Sequence, residues 1–369
     1  MPSSLFRFLH HCAEAALPRQ RADGAMPGGC NGPWEDAETP VRNTGHWLIT
    51  FLRVLETTGD PRFRAAAEKS AAYLLSDAAR PMGASFWHRM NPERDFCNGL
   101  IGSAWTIEAL AAAGDALGME EAFGAAREVF LLHPYLEDEG VWRVVNVDGS
   151  RAGVDPTFNH QLWFAASGAL LVDRTGDAVI RERVGGFMDH LGWSFQVRSN
   201  GAIVHGMRFR SLPRRLYQEF GIRRQGRAYW KAQVPKEIGY HAFNLMGFGL
   251  LHSSTSEHSF WRSDSFARAM ALVGDTAFRD QLETSPYGYP YNPPGFEVPF
   301  AVLTFPALVD ESTRAEENLS AWVDRQLAHT WSPETRQLDR NVPDAATLTA
   351  RLYEAARLPD LPLEHGVDG

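Results

Sequence analysis

The 369-residue sequence predicts an all-α fold, an (α/α)6 toroid (six-hairpin barrel) in which an outer ring of helices surrounds an inner ring. Three observations predict it. Helical periodicity recurs along the chain, whereas strand patterns are confined to short loop excursions such as 141–147 and 202–207. Pairs of helices repeat with a period of about sixty residues. The first helix of each pair is apolar nearly all round, as expected for a helix buried on both faces.

The elements follow one another as pairs. After an amphipathic helix near the start, three apolar helices each run into a Gly-Asp dipeptide and a more charged helix. Glycine supplies the left-handed stop, and aspartate caps the next helix. Two less regular pairs and one further helix complete about twelve helices. The apolar helices are expected at 41–58, 98–113, 158–175, 239–251 and 296–308, and the last helix near 344–357.

One domain over residues 1–369 is expected, with a basic loop insertion at about 198–236 and a frayed tail after about 360. The formal net charge of −9 gives no overall bias toward nucleic acid or a membrane surface. No apolar run approaches the roughly 20 residues that span a bilayer, and the first residues do not read as a signal peptide. A cytoplasmic protein follows, without a nucleic-acid or membrane partner. A homo-oligomer remains open.

Cofactor and metal motifs are absent from the sequence. The three cysteines, Cys12, Cys30 and Cys97, are isolated and have no CxxC spacing, so neither a disulfide framework nor a zinc site is expected. No dinucleotide fingerprint, phosphate-binding loop or HExxH motif occurs. The sequence therefore predicts no metal and no cofactor.

Polar and aromatic side chains recur where four of the predicted inner helices begin. Residues three or four apart share one helix face, and in a toroid these helix entrances open on one end of the cavity. A single His or Asn at a helix start is more often a cap or a satisfied core group, but recurrence at four equivalent entrances indicates a shared site. The residues are Glu35, Asp36, Asn43, His46, Trp47, Asn98, Trp105, Asp155, Asn159, His160, Trp163, Tyr240, His241 and Asn244.

This mixture of side chains suits a carbohydrate. Aromatic faces pack on the apolar face of a pyranose, and amides and acids bond its hydroxyl groups. The insertion at 198–236 adds eight Arg, two Lys and a single acid, Glu219. Arg208 and Arg210 are expected to donate bidentate hydrogen bonds to the carboxylate of a uronic acid. A solvated surface arm, an interface with an acidic neighbouring subunit, and a nucleic-acid arm are the alternatives for this insertion.

A family resemblance is carried by the stretches NGPWEDAETPVRNTGHWLITFLRVLETTGD, DPTFNHQLWFAASGALL and YHAFNLMGFGLL. They resemble α/α-barrel proteins of surface-glycan gene clusters, which are linked to hexuronic-acid processing. The third stretch is also distantly similar to the helical part of glucuronyl C5-epimerases, and the architecture is similar to unsaturated glucuronyl hydrolases and N-acylglucosamine 2-epimerases. The resemblance spans most of residues 30–310. It implies an enzyme of uronic-acid-containing glycans, although the paired aspartates of the hydrolases have no clear counterpart.

Glycoside hydrolysis by carboxylate acid/base chemistry is the leading hypothesis. Asp155 is expected to be the acid/base, with a pKa raised by burial or by a neighbouring carboxylate such as Asp36, and Asp36 or Glu35 is expected to lie opposite. Three histidines are expected to orient the substrate or shuttle protons: His46, His160 and His241. The substrate-binding residues are expected to be Asn43, Trp47, Asn98, Trp105, Asn159, Trp163, Arg208, Arg210, Tyr240 and Asn244. An epimerase or isomerase of hexuronic acid is the alternative, and a noncatalytic glycan-binding protein is a further one.

Overall fold

The computed structural model describes residues 3–211 and 232–364. Its helices are α1 Leu5–Ala16, α2 Val41–Thr58, α3 Pro61–Leu75, α4 Gly99–Leu117, α5 Glu120–Leu132, α6 Phe158–Thr175, α7 Ala178–Ser194, α8 His241–His252, α9 Asp264–Ala271, α10 Thr276–Thr284, α11 Pro294–Thr304, α12 Glu311–Arg314, α13 Glu316–Thr330, α14 Ala345–Ala350 and α15 Leu352–Ala355. A helical stretch at 232–239 precedes α8. The strands are β1 Ser3–Ser4, β2 Tyr135–Leu136, β3 Val141–Val145, β4 Arg151–Val154, β5 Trp331–Ser332, β6 Gln337–Leu338 and β7 Pro362–Leu363.

An inner ring is formed by α2, α4, α6, α8, α11 and the short α15. Each of these helices packs on the next, and α15 returns to α2, so that the ring closes. The helices α3, α5, α7 and α13 pack outside α2, α4, α6 and α11 in turn, and α1 covers the seam between α2 and α15. The predicted all-α toroid is confirmed. The described residues contain more than twelve helices because the last outer and inner positions are made of short pieces.

The Gly-Asp dipeptides end α2 and α6 as predicted. Gly59 and Gly176 adopt left-handed backbone angles, with φ of 69° and 68°. Asp60 and Asp177 then accept hydrogen bonds from backbone N–H groups in the first turn of the following helix. These two corners fix the antiparallel return of each outer helix.

The remaining dipeptide, Gly114-Asp115, was predicted wrongly to end a helix. Helix α4 continues through Gly114 and Asp115 to Leu117, and the left-handed residue is Gly118, with φ of 70°. Gly114 serves packing instead, since a Cβ atom there would lie 2.7 Å from the ring of Phe123 on the returning helix. The glycine lets α4 and α5 approach closely.

The strands are short and lie in the loops. A three-stranded antiparallel sheet β2-β3-β4 precedes α6, and the predicted excursion 141–147 corresponds to β3. The stretch 202–207 makes only isolated bridges, at Ile203 and Gly206. Because β4 ends at Val154, this hairpin delivers Asp155 to the entrance of α6.

The amino-terminal and carboxy-terminal stretches pair with each other. Strand β7 pairs antiparallel with β1, and Leu361 and Leu363 are buried. The chain therefore stays packed to residue 364, beyond the predicted start of a frayed tail near 360. Among the described helices, none combines the length and the apolar character needed to cross a membrane.

Candidate active site

A cavity of about 280 Å³ opens at the end of the toroid where the inner helices begin. Each inner helix, or the segment that leads into it, contributes to its wall. Six of the residues predicted for a shared site line it: Asp36, Asn98, Trp105, Asn159, His160 and Tyr240. The other lining residues are Asn31, Trp34, Arg42, Arg89, Arg94, Ile101, Thr157, His205, Lys236, Phe243, Tyr291, Asn292 and Arg351.

Asp155 and His160 form a hydrogen-bonded dyad at the entrance of α6. The Nδ1–H of His160 donates to Oδ2 of Asp155 at 2.6 Å, and the backbone N–H of Thr157 donates to Oδ1 at 3.0 Å. Since a carboxylate only accepts, this bond assigns the proton of a neutral His160 to Nδ1 and leaves Nε2 to exchange a proton. Asp155 itself lines not the main cavity but a neighbouring one, which His160 also lines.

The predicted protonated state of Asp155 is wrong. Burial raises the pKa of its carboxyl, but the charge of His160 and the hydrogen bonds from His160 and Thr157 outweigh burial and bring the pKa to about 2. The carboxyl is therefore ionised at neutral pH and has no proton to give to a leaving group. Its contacts make it a positioning residue for His160.

Gly99 is needed where the dyad meets the start of α4. Its φ is 58°, and a Cβ atom there would lie 2.5 Å from Oδ2 of Asp155 and 3.0 Å from Nδ1 of His160. Its backbone N–H donates to Asp95 at 2.7 Å. The glycine allows α4 to approach the dyad and hold it in place.

A second imidazole, His205, lines the same cavity and was missed from the sequence. The backbone of Phe158 donates to the carbonyl of His205 at 2.9 Å, which places its loop beside the α6 entrance. Burial lowers the pKa of His205 well below its usual range, and the charges of Lys236 and His160 lower it further. Its ring lies 5.2 Å from that of Tyr240. This histidine is a neutral imidazole in the cavity wall.

Lys236 is a second residue that was not singled out. Its Nζ lies 4.7 Å from the ring centroid of Trp34 and 6.0 Å from that of Tyr240. Burial lowers its pKa to about 8. Lys236 is half-buried and makes no ion pair within residues 3–211 and 232–364; Arg94, which is exposed, makes none there either. Two cations are thus available to an anionic ligand.

The three remaining arginines of the wall are neutralised by carboxylates. Arg42 pairs with Glu38 at 3.3 Å, and its guanidinium lies 4.0 Å from the Trp105 ring centroid. Arg89 lies 3.0 Å from Asp36 and 3.1 Å from Asp95. Asp36 is the one carboxylate among the described lining residues, and this ion pair occupies it.

Arg351 is held between two buried carboxyls, Glu297 at 2.7 Å and Glu354 at 2.6 Å. It also donates to the backbone carbonyl of Tyr291 at 3.0 Å. Burial raises the pKa of Glu297 well above its usual range and that of Glu354 to about 7. The network joins α11 to α15 at the floor of the cavity.

Two of the predicted catalytic histidines belong to the core. His46 is buried and stacks on Tyr353 with ring centroids 4.2 Å apart. Burial, with Arg42 and Arg351 nearby, lowers its pKa well below the usual value. The Nδ1 of His241 accepts from the backbone N–H of Ile203, and its Nε2 lies 3.1 Å from the carbonyl oxygen of Ala269. This imidazole therefore joins α8 to the loop at Ile203 and to α9. Neither lines the cavity, because both follow the buried face of their helix.

Two predicted stacking residues and two predicted amides also pack against other protein groups, outside the cavity. Trp47 stacks on Phe51, and Trp163 stacks on Phe243 and donates to its carbonyl. Asn43 donates to the carbonyl of Pro27 and Asn244 to that of Tyr240; both are buried outside the lining. None of the four lines the cavity, because helical spacing indicates which residues share a face but not what that face packs against.

Glu35 and the predicted arginine clamp lie outside the cavity. Glu35 is exposed and ends a turn with φ of 50°. Arg208 places its guanidinium 4.1 Å from the ring centroid of Trp193. Arg210 is exposed, and its backbone N–H donates to Glu139. Arg198 pairs with Glu237 at 2.7 Å, and the five arginines between 214 and 227 lie outside the described residues.

A metal centre is not formed by the residues that the structure describes. No group of three or more His, Cys, Asp or Glu side chains among them is arranged to hold an ion. The three cysteines are free thiols.

Comparison with known proteins gives one relative over nearly the full length. The chain is 42% identical to archaeal glycosylation protein Q of Haloferax volcanii, over 97% of this chain and 98% of that protein. No protein-family model matches the chain. Among solved structures, a sugar epimerase from a ruminal bacterium is similar with a TM-score of 0.66 and 12% identity, covering 94% of each chain. Unsaturated glucuronyl hydrolase of Bacillus sp. GL1 is similar with a TM-score of 0.59 and 12% identity, also over 94% of each.

Proposed function

The chain belongs to the family of archaeal glycosylation protein Q, and from this membership and its cavity we propose that it is a sugar epimerase or isomerase. The fold is that of carbohydrate-processing enzymes, both epimerases and hydrolases. The observation that carries the choice between them is the Asp155–His160 dyad in the cavity wall. An imidazole backed by an ionised carboxylate is built to move protons.

Carboxylate-based hydrolysis has less support. Glycosidases use two carboxyl groups about 5–10 Å apart across the scissile bond, one of them holding a proton. Among the described residues the cavity offers one carboxylate, Asp36, and Arg89 pairs with it. Asp155 has a pKa of about 2 and stands behind His160. This pattern favours the alternative, in which imidazoles exchange a proton at a sugar carbon.

The proposed step is a proton transfer at a carbon next to a carbonyl or carboxylate group. Neutral His205 takes the proton from that carbon, and the electron pair moves onto the neighbouring oxygen. The His160 imidazolium, stabilised by Asp155, then delivers a proton to the opposite face, and the carbon–oxygen double bond re-forms. Proton exchange between the two imidazoles and solvent resets the pair. Every electron pair and proton is accounted for without an oxidant.

The proposed substrate is an anionic sugar, with a hexuronic acid as the first candidate. Lys236 and Arg94 are the lining cations without a carboxylate partner among the described residues. A cation in a partly desolvated wall attracts a carboxylate and also stabilises the negative charge that develops on oxygen in the proposed step. Trp34, which is 36% exposed, offers ring surface to a pyranose, and Trp105, with Arg42 over its ring, lines the same cavity.

The test is proton exchange in heavy water. Hexuronic acids and their glycosides are incubated with the protein, and deuterium incorporation is followed by NMR together with reducing ends. We expect incorporation at one sugar carbon without new reducing ends, and its loss in His160→Gln and His205→Gln. His10→Gln, on the surface of α1, is the matched control and should keep full exchange. New reducing ends without exchange would establish hydrolysis, and binding without turnover would establish a glycan-binding protein.

A further inference from the structure

An apolar groove of about 800 Å³ lies beside the cavity, between the loop at 81–96 and the β3–β4 hairpin. Met82 is 65% exposed and Phe96 40%, and Trp87 forms part of the same wall. Large apolar side chains are rarely left exposed together on a protein surface unless something binds there. The groove is therefore a candidate binding surface.

The groove adjoins the candidate active site through shared lining residues. Arg94 lines both the groove and the main cavity. Asp95 and Asn146 line both the groove and the neighbouring cavity of about 330 Å³, which in turn is lined by Asp155 and His160. The exposed apolar wall therefore lies next to the dyad.

The apolar wall is held in place by backbone hydrogen bonds. The N–H groups of His88 and Arg89 both donate to the carbonyl of Phe96, at 2.8 and 2.9 Å. The indole N–H of Trp87 donates to the carbonyl of Arg89 at 2.7 Å. The hydroxyl of Ser85 donates to β3 at 2.8 Å, which ties the two walls together. The groove is preformed, as ligand sites usually are.

On the basis of the function proposed above, we propose that this groove binds a hydrocarbon chain attached to the sugar, so that the substrate is a glycolipid. The wall offers alkyl and aromatic contacts from Pro81, Met82, Trp87, Phe96, Val147 and Ala152, which suit a hydrocarbon chain better than the diphosphate of a nucleotide sugar. A sugar bonded through its anomeric carbon stays ring-closed. Proton exchange then takes place at the carbon next to the carboxylate.

The experiment measures affinity against chain length. Methyl, butyl and octyl glycosides of glucuronic acid are titrated calorimetrically below their micelle concentrations. Burial of each added methylene should tighten binding about three- to fourfold until the groove is filled. Phe96→Asp and Met82→Glu should remove this dependence and leave the affinity for the methyl glycoside unchanged. Val179→Glu, an equally exposed apolar position on α7, is the matched control and should keep the dependence.

Several outcomes would overturn the groove assignment. Affinity independent of chain length in the unmodified protein would do so, as would displacement of the octyl glycoside by uridine diphosphate. A dimer that Phe96→Asp converts to monomer in sedimentation would assign the groove to a second copy. The anionic-sugar proposal is tested separately from the groove. If octyl and butyl glycosides of neutral glucose bind with the expected increments while methyl glucuronide does not bind, the groove stands and the anionic-sugar proposal fails.

Discussion

Replacing Asp155 by Asn separates the chemistry of the dyad from its structural role. The side chain keeps its shape, and its oxygen can still accept the N–H of Thr157 that Oδ1 now accepts at 3.0 Å. Asn is also a good residue before a helix, so folding should survive. What is lost is the negative charge 2.6 Å from Nδ1 of His160.

The magnitude follows from the pKa of Asp155, about 2 against an ordinary 3.8. This difference corresponds to about 2 kcal/mol in favour of the ionised carboxylate, since a tenfold change in an equilibrium is about 1.4 kcal/mol. This preference is shared between the charge and hydrogen bond of His160 and the hydrogen bonds of Thr157, with burial opposing it. On that scale, losing the charge should slow turnover by about tenfold. An Asn amide that donates to Nδ1 also selects the wrong tautomer, which brings the total to roughly 10² to 10⁴.

The assay is the rate of deuterium incorporation into a hexuronate in heavy water, with thermal unfolding measured on the same samples. We expect a melting temperature close to that of the unmodified protein and a lower exchange rate at unchanged KM. An Asp155→Asn protein that exchanges at nearly the normal rate would refute the positioning role. A protein inactive only because it unfolds would show the loss in melting temperature as well.

Three further outcomes are expected. The KM for an anionic sugar should rise above pH 8, because Lys236 loses its proton there. Lys236→Gln should raise KM at pH 7 and remove the rise above pH 8, whereas Arg210→Gln should change neither. Gly99→Ala should lower stability by about 1–2 kcal/mol and abolish exchange; Gly59→Ala, with similar φ and no atom within 4 Å of the new Cβ, should keep full activity in the same assay. Arg351→Met should destabilise the fold by about 3–5 kcal/mol in thermal unfolding, because it leaves two buried carboxyls without their cation.

The toroid was predictable because its signal is repetitive. Three helix pairs with two correctly placed Gly-Asp corners determine the inner ring, and helix entrances such as those at Asn98 and His160 then have to converge. The predicted end of α4 at Gly114 was wrong because the sequence does not distinguish a glycine needed for close packing from one needed for a left-handed helix end. The chemistry of a helix entrance was thus easier to predict than its exact boundary.

The assignment of roles was less predictable, because it depends on neighbours distant in sequence. Asp155 and His160 were both identified, but only the 2.6 Å bond shows that the carboxylate serves the imidazole. His205 sits in an irregular loop and carries no motif; its place beside α6 comes from backbone pairing. Arg208 and Arg210 were chosen for charge alone, whereas burial and cavity position single out Lys236.

The seam between α15 and α2 has a consequence for the synthesis of the protein. Helix α2, the first inner helix, is complete at residue 58, whereas α15, its neighbour across the seam, ends at residue 355. Strand β1 has no pairing partner until β7 has been synthesised. At about 5–20 residues per second, translation of the intervening chain takes roughly 15 to 60 s. During that time the side of α2 that carries His46, which stacks on Tyr353 of α15 in the folded protein, has no neighbour. The nascent chain should therefore depend on a chaperone near the ribosome, and variants that weaken α15 should aggregate during expression rather than unfold afterwards.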